Sequence, residues 1–296
     1  TTTANIIDNT SYIGDISAYA QLTSEPDPLV LNIPDDIVNN RQIGFVADFS
    51  VNGNLHSTHG IVLIIQNGVE LFGILPGSLV LNSNHRYYVT GGVIIAIGDT
   101  LTITPGCHLS FYPGTKISGY GTIIAVGEPD ELIIFDYAQD GYWDGIDPSN
   151  STFQYCKFIG IQGVSGSMHQ VYENCIFEES AWFFWGHSPA QFTRCNLINF
   201  PDRIGGNAQL NFQECLITNN SSLPLYAGEG LQSAFVSNSI YNNSLYNMGL
   251  MSGFFETYFV ENYWGTNNLN KINSGILDYF EDTSYGVAFI DSILVR

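Results

Sequence analysis

Few residues in this chain could do chemistry, and they are thinly spread. The densest group is Ser180-Ala-Trp182-Phe-Phe184-Trp185-Gly-His187-Ser-Pro189, which holds two of the four tryptophans beside a histidine. Exposed aromatic rings with a polar edge serve as platforms for sugars and as anchors at protein interfaces. Strand alternation sends Trp182 and Phe184 to one side and Phe183 and Trp185 to the other. One pair can then pack inside while the other meets a ligand. Trp182, Phe184, Trp185 and His187 are therefore the candidate ligand-binding residues; the competing reading has them all filling the core and a loop.

The five cysteines are an odd number, so at least one thiol is unpaired within the chain. No Cys-x-x-Cys or Cys/His spacing suits zinc, and no metal site is assigned. The cysteines instead report a repeat. Cys156, Cys175, Cys195 and Cys215 follow one another at intervals of 19, 20 and 20 residues. Their neighbours repeat with them: Phe153-x-x-Cys156-x-Phe158, Tyr172-x-x-Cys175-x-Phe177, Phe192-x-x-Cys195-x-Leu197 and Phe212-x-x-Cys215-x-Ile217. Two further copies put Asn in the Cys place, Phe235-x-x-Asn238-x-Ile240 and Phe259-x-x-Asn262-x-Trp264.

Those ladders need an element that brings every twentieth residue into register. Units this short, poor in Leu and in helix formers and broken by Gly, Asn, Ser and Pro, fit a coil of three short strands rather than a helical or leucine-rich repeat. Coils stacked about 4.8 Å apart place Phe on Phe, Cys on Cys and Asn on Asn. That spacing is within disulfide range, but free Cys is among the most buried residue types, so a buried stack of reduced thiols is the expectation. Inward Asn amides can chain along the axis and satisfy buried polar groups. The expected ladder is Phe153, Cys156, Cys175, Phe192, Cys195, Phe212, Cys215, Asn238 and Asn262.

Upstream, apolar residues alternate with Pro-Gly and Gly turns over Leu101, Ile103, Pro105-Gly106, Leu109, Phe111, Pro113-Gly114 and Ile117, the pattern of short half-buried strands. The stretch Gly98-x-x-Leu101-x-Ile103-x-Pro105-Gly106-x-x-Leu109-x-Phe111, the run Ile133-Ile134-Phe135, the step Trp143-Asp144-Gly145-Ile146 and the closing Asn262-Tyr263-Trp264-Gly265-Thr266 together resemble the pectin-lyase-like proteins. More narrowly, they resemble the secreted bacterial surface group without an assigned activity. The resemblance covers roughly residues 92 to 290 and implies an all-β fold, a right-handed parallel β-helix solenoid with N- and C-terminal caps. The hydrolase branch of that family carries an Asn-Thr-Asp strand, an Asp-Asp pair, a Gly-His-Gly and an Arg-Ile-Lys. This chain offers only Gly186-His187-Ser188, and its one Asp-Asp pair, Asp35-Asp36, lies outside the coils. A lyase would need an Arg or Lys base, usually with Ca²⁺. The basic residues in or near the repeats are Lys116, Lys157, Lys271, Arg194 and Arg203, each better read as solvated or salt-bridged. No catalytic residues are assigned, and the expectation leans against an enzyme.

Composition narrows the partners. A formal charge of −20, from 28 acidic and 8 basic residues, repels nucleic-acid phosphates and anionic lipid heads. No run of 18 apolar residues spans a membrane. No cofactor is implied, although acidic loops such as Asp144 to Asp147 would admit Ca²⁺. The organisation expected is an N-terminal cap or intermolecular arm over 1–40, the parallel β-helix over 41–268, and a C-terminal cap over 269–296 with a short helix near 272–280. Residues 41–92 are read as the first coils in preference to a small β-sandwich, because Pro76-Gly77 with Leu79 and Leu81 echoes Pro105-Gly106 with Leu109 and Phe111. The functional expectation is a non-enzymatic extracellular or cell-surface protein, structural or adhesive, acting through homo-oligomers, filaments or surface glycans. The alternative is a carbohydrate-binding or polysaccharide-degrading β-helix, a lyase or hydrolase.

Overall fold

The computed structural model describes residues 5–12, 27–33, 41–65, 68–165, 170–180, 184–185, 189–201, 204–206, 209–221, 225–227, 233–244, 246–250, 256–283 and 286–295. For 5, 164–165, 184–185, 204–206, 225–227 and 256 only the backbone is described. The chain divides into two compact units, Thr1–Val69 and Glu70–Arg296.

The second unit is a parallel β-solenoid, built by stacking three-strand coils. One face is a ten-stranded parallel sheet that begins with Leu79–Leu81, Thr100–Ile103, Thr122–Val126 and Ser151–Gln154 and ends with Glu256–Val260 and Val287–Ile290. A second face stacks His108–Phe111, Ile133–Tyr137, Cys156–Ile159, Ile176–Glu178, Asn196–Ile198, Leu216–Thr218 and Ser239–Tyr241. The third carries Lys116–Gly119, Gly145–Pro148, Val164–Ser165 and Phe184–Trp185, and Ile204–Gly206, Leu225–Ala227, Met248–Leu250 and Ile276–Leu277 form a further four-stranded sheet. In the first coil one strand, Arg86–Ile95, serves two faces. Its start pairs with His108–Phe111 and its end with Lys116–Gly119.

The corners explain why the repeat has its spelling. The first face passes to the second through one residue in the left-handed region: Tyr155, Asn174, Arg194, Glu214, Ser237 and Glu261, with φ between 50° and 57°. Such a conformation is uncommon for side chains other than Gly, Asn and Asp. It recurs at the same place in six successive coils, so it belongs to the architecture. The next residue in each coil, Cys or Asn, turns inward and hydrogen-bonds the backbone of a neighbouring coil. The earlier coils use Pro-Gly turns, in which Gly77, Gly106 and Gly114 take the positive φ that the third residue of such a turn requires.

Stacked aromatics fill the interior. Phe153, Tyr172, Phe192, Phe212, Phe235 and Phe259 are buried and stack ring on ring, with centroids 4.6–5.3 Å apart and ring planes within 20°. A second stack, Phe135, Phe158 and Phe177, runs beside it at 4.7 Å per step. Edge-on contacts join the two, as between Phe158 and Tyr172. Each such pair adds about 0.5–1.5 kcal/mol beyond the area it buries. Trp143 stacks on Phe111 at 3.9 Å and its indole N–H donates to the Ile159 carbonyl at 2.9 Å.

Two expectations need correcting. Residues 41–65 are not coils. Arg41–Val51 and Asn54–Ile65 pair antiparallel as a long two-stranded ribbon. Asn52 and Gly53, both at positive φ (49° and 75°), make the reversing turn that such a sequence favours. The helix lies earlier than expected, at Leu269–Asn273, because the Asn268 side chain accepts from the Asn270 and Lys271 amides and starts it there. The following strands Ile276–Leu277 and Val287–Ile290 pair in parallel with the solenoid sheets. Elsewhere in the first unit, Asn5–Asp8 pairs antiparallel with Val30–Asn32.

Candidate functional site

The ladder residues meet as a column. Cys156, Cys175, Cys195, Cys215, Asn238 and Asn262 are all buried. All five cysteines, Cys107 included, are free thiols. Each thiol in the column sits 3.5 Å from a carbonyl of the preceding coil: Cys175 on Phe153, Cys195 on Tyr172 and Cys215 on Phe192. The Cys195 amide points at the Cys215 sulfur at 3.4 Å. Where Asn replaces Cys the same bonds shorten. Cys215 N–H donates to Asn238 Oδ1 at 2.8 Å, and Asn238 Nδ2 donates to Phe212 O and to Asn262 Oδ1, both at 3.0 Å. Burial pushes the Cys175, Cys195 and Cys215 thiols well up from their ordinary range. They are protonated packing groups, and the reactive species of a catalytic cysteine is the thiolate.

A second buried amide ladder, not anticipated from the sequence, follows the next corner. Asn220 Oδ1 accepts from the Phe200 amide at 2.9 Å, while Asn220 Nδ2 donates to Asn243 Oδ1 at 2.9 Å. Its sequence signal is the run Asn199-Phe200, Asn219-Asn220, Asn242-Asn243, in which the first residue of each pair takes positive φ.

The aromatic stretch is only partly in view. Trp182 and His187 lie outside the described residues. Phe184 and Trp185 form a short strand of the third face, paired in parallel with Val164 and Ser165. The other two tryptophans, Trp143 and Trp264, are core.

The one cluster of mixed chemistry on the described surface went unremarked at the level of sequence. Arg86, His108, Ser110 and Asp136 come from three successive strands of the second face. His108 Nε2 lies 2.7 Å from Asp136 Oδ2. Arg86 Nε and Nη2 donate to Ser110 Oγ at 3.2 and 3.0 Å, and its guanidinium sits over the Tyr88 ring. The residue types are those of a nucleophilic triad, but the wiring is not. In a triad one ring nitrogen holds the carboxylate and the other faces the hydroxyl. Here the same nitrogen, Nε2, lies nearest both Asp136 and, at 3.5 Å, Ser110. Ser110 is 0% exposed, out of reach of a dissolved substrate.

Two further basic residues of the solenoid are paired. Lys157 pairs with Glu178 at 2.8 Å. Arg194, a corner residue, contacts Glu173 and reaches Glu214, while its Nε donates to Asn174 Oδ1 at 2.9 Å. Lys116 and Lys271 are exposed on a strand and on the short helix, and Arg203 lies outside the described residues. Asp278 and Glu281 lie together, but both build a turn: Asp278 accepts from the Phe280 and Ala288 amides and Glu281 from the Asp278 amide. Burial, and then Asp278, raises the Glu281 pKa. Among the described residues no three His, Cys, Asp or Glu side chains gather as a metal site, and no helix is long and apolar enough to cross a membrane.

No protein-family model, no curated protein and no solved structure matches the chain. The resemblance to the pectin-lyase-like group therefore rests on the motifs quoted above and on the solenoid itself, and fold alone does not carry an activity.

Proposed function

We propose that this chain is a non-enzymatic structural or adhesive protein of the cell exterior, in which the solenoid is a stiff support that holds its faces at fixed spacing. One observation carries the reading. The aromatic stack runs from Phe153 to Phe259 through six coils with no coil departing from it. Catalytic sites usually leave a mark on the fold that bears them, as backbone strain at isolated positions or a break in local consistency. Here the strained corners, Asn150 apart, fall in two series at equivalent positions of successive coils, where they serve the coil itself. On the solenoid Arg86, Lys157 and Arg194 pair with Asp136, Glu178 and Glu173, which suits a surface that keeps its shape.

The acidic charge of −20 supports neutral partners, a glycan-rich envelope or further protein, over polyanions. The test is retention. Purified full-length chain is incubated with cell-envelope fractions and with neutral polysaccharides on beads. The reading expects the intact chain to be held by at least one of them. Loss of binding to every envelope and polysaccharide surface would leave the adhesive role without support.

A further inference from the structure

In the first unit, one face of the ribbon carries the cross-strand pairs Gln42–Ile64, Gly44–Val62, Val46–Gly60 and Asp48–Thr58. The apolar members stand in solvent: Val46 is 73% exposed, Val62 62% and Ile64 56%. An isolated two-stranded ribbon is marginal in water, and an apolar face on one calls for a cover. The two central pairs each set a Val against a Gly, in opposite order. The result is a two-by-two pattern of knobs and hollows. The hollows are real, because a Cβ built on Gly44 or Gly60 meets nothing within 4 Å.

That pattern is self-complementary. A second ribbon laid face to face, related by a two-fold axis in the contact plane, seats Val46 of one copy over Gly60 of the other and Val62 over Gly44. This is the condition an isologous interface must meet. Charge points the same way. Each copy carries −20, yet residues 41–65 hold only Arg41 and Asp48 as formal charges, a net of zero. A contact here adds only Asp48 of each copy, seated over Thr58 of the other, to the repulsion between two such anions.

Size is sufficient for a weak dimer. The seven residues per strand of this face at about 3.4 Å, on two strands about 4.8 Å wide, cover roughly 230 Å² a copy, or about 460 Å² for the pair, the size of a weak, transient contact.

We propose that the Gln42–Asp48/Thr58–Ile64 face of the ribbon is a homodimer contact, formed with the same face of a second copy of this chain. The contact rests on the scaffold reading above and names its partner. The two fail separately, because this one is read by mass and that one by retention and product release.

The experiment is sedimentation velocity of the full chain from about 1 µM to about 1 mM, the range in which so small an interface dissociates. The wild type is expected to pass from 32.6 kDa to twice that mass. Added salt is expected to strengthen the association, since it screens the repulsion between the two acidic copies. The double variant G44V/G60V fills both hollows with side chains that the single chain has room for. It should keep its circular dichroism and thermal midpoint yet associate at least tenfold more weakly. Val46→Asp, which seats a charge on Gly60 of the other copy and adds to the negative charge of Asp48, should weaken association at least as much. A wild type that stays at 32.6 kDa across the range overturns the proposal, as does a G44V/G60V variant that dimerises as well as the wild type.

Discussion

Asn238 offers the sharpest test of how the coils are held. Its side chain is fully buried and makes three hydrogen bonds: from the Cys215 amide, to the Phe212 carbonyl and to Asn262 Oδ1. Asn238→Ala strands the buried Cys215 N–H and removes a side-chain donor from Phe212 C=O, which lies in the parallel ladder with Phe235. Asn262 Oδ1 keeps its bond from the Asn238 amide. At about 1–3 kcal/mol for the stranded amide, plus a small cavity, the loss should be about 2–4 kcal/mol. Asn238→Cys is the informative partner, because the preceding coils already use Cys in that place. A thiol at 238 can meet the same two backbone groups with longer, weaker bonds, as Cys215 does with Cys195 N–H and Phe192 O at 3.4 and 3.5 Å. Its expected cost is about 1–2 kcal/mol. Urea unfolding gives both values, and hydrogen exchange at the Cys215 amide localises them. In Asn238→Ala that amide should exchange roughly 100-fold faster, at about 1.4 kcal/mol per tenfold. A loss under about 1 kcal/mol, or a Cys variant no better than the Ala variant, would refute the view that the ladder works through these bonds.

Three further outcomes are expected. Gly145→Ala should prevent folding of its coil, because Gly145 sits at φ 127° and a Cβ there would lie 1.6 Å from the Gly163 carbonyl oxygen; Gly92→Ala, with open space at its Cβ, should fold normally, and soluble yield with circular dichroism separates the two. The Cys175, Cys195 and Cys215 thiols, raised by burial, should resist alkylation in the native chain and react on unfolding. A pKa higher in the folded state than in the unfolded state gives stability that is complete below the unfolded value, about 8.5, and is lost as pH climbs past it, by up to about 1.4 kcal/mol per unit for each thiol. The urea midpoint should therefore fall between about pH 8 and pH 10, and a flat profile would contradict protonated buried thiols. A double-mutant cycle of His108→Ala with Asp136→Asn should give a coupling of about 1 kcal/mol, the worth of one short charge-assisted bond at a partly exposed site; additive effects would show that the 2.7 Å contact contributes nothing.

What could be read from the sequence follows from where residues repeat. The Phe153 and Cys156 columns were legible because a stack gives each position nearly the same surroundings in every coil, so residue type recurs at 19 to 24 residues. The Arg86–His108–Asp136 cluster was hidden because the early coils are uneven. Its members lie 22 and 28 residues apart, and only the register of three strands brings them together. The ribbon reads as coil because alternation of period two describes a hairpin and a half-buried coil strand equally well. The discriminating signal was Asn52-Gly53 between two apolar runs, a two-residue turn that reverses the chain. The Asn220–Asn243 ladder was overlooked among many polar loop residues, although it follows its corner as regularly as the Cys column follows the other.

The scaffold reading is tested most directly by looking for turnover. Full-length chain is incubated for a day with pectic, alginate, xylan, glucan and envelope polysaccharides, with and without added Ca²⁺. Released oligosaccharides are then read by mass spectrometry against a heat-unfolded control. The reading predicts no product above the control in any mixture. A series of shortened or unsaturated oligosaccharides that grows with time and protein concentration would contradict it and place a catalytic site on the solenoid.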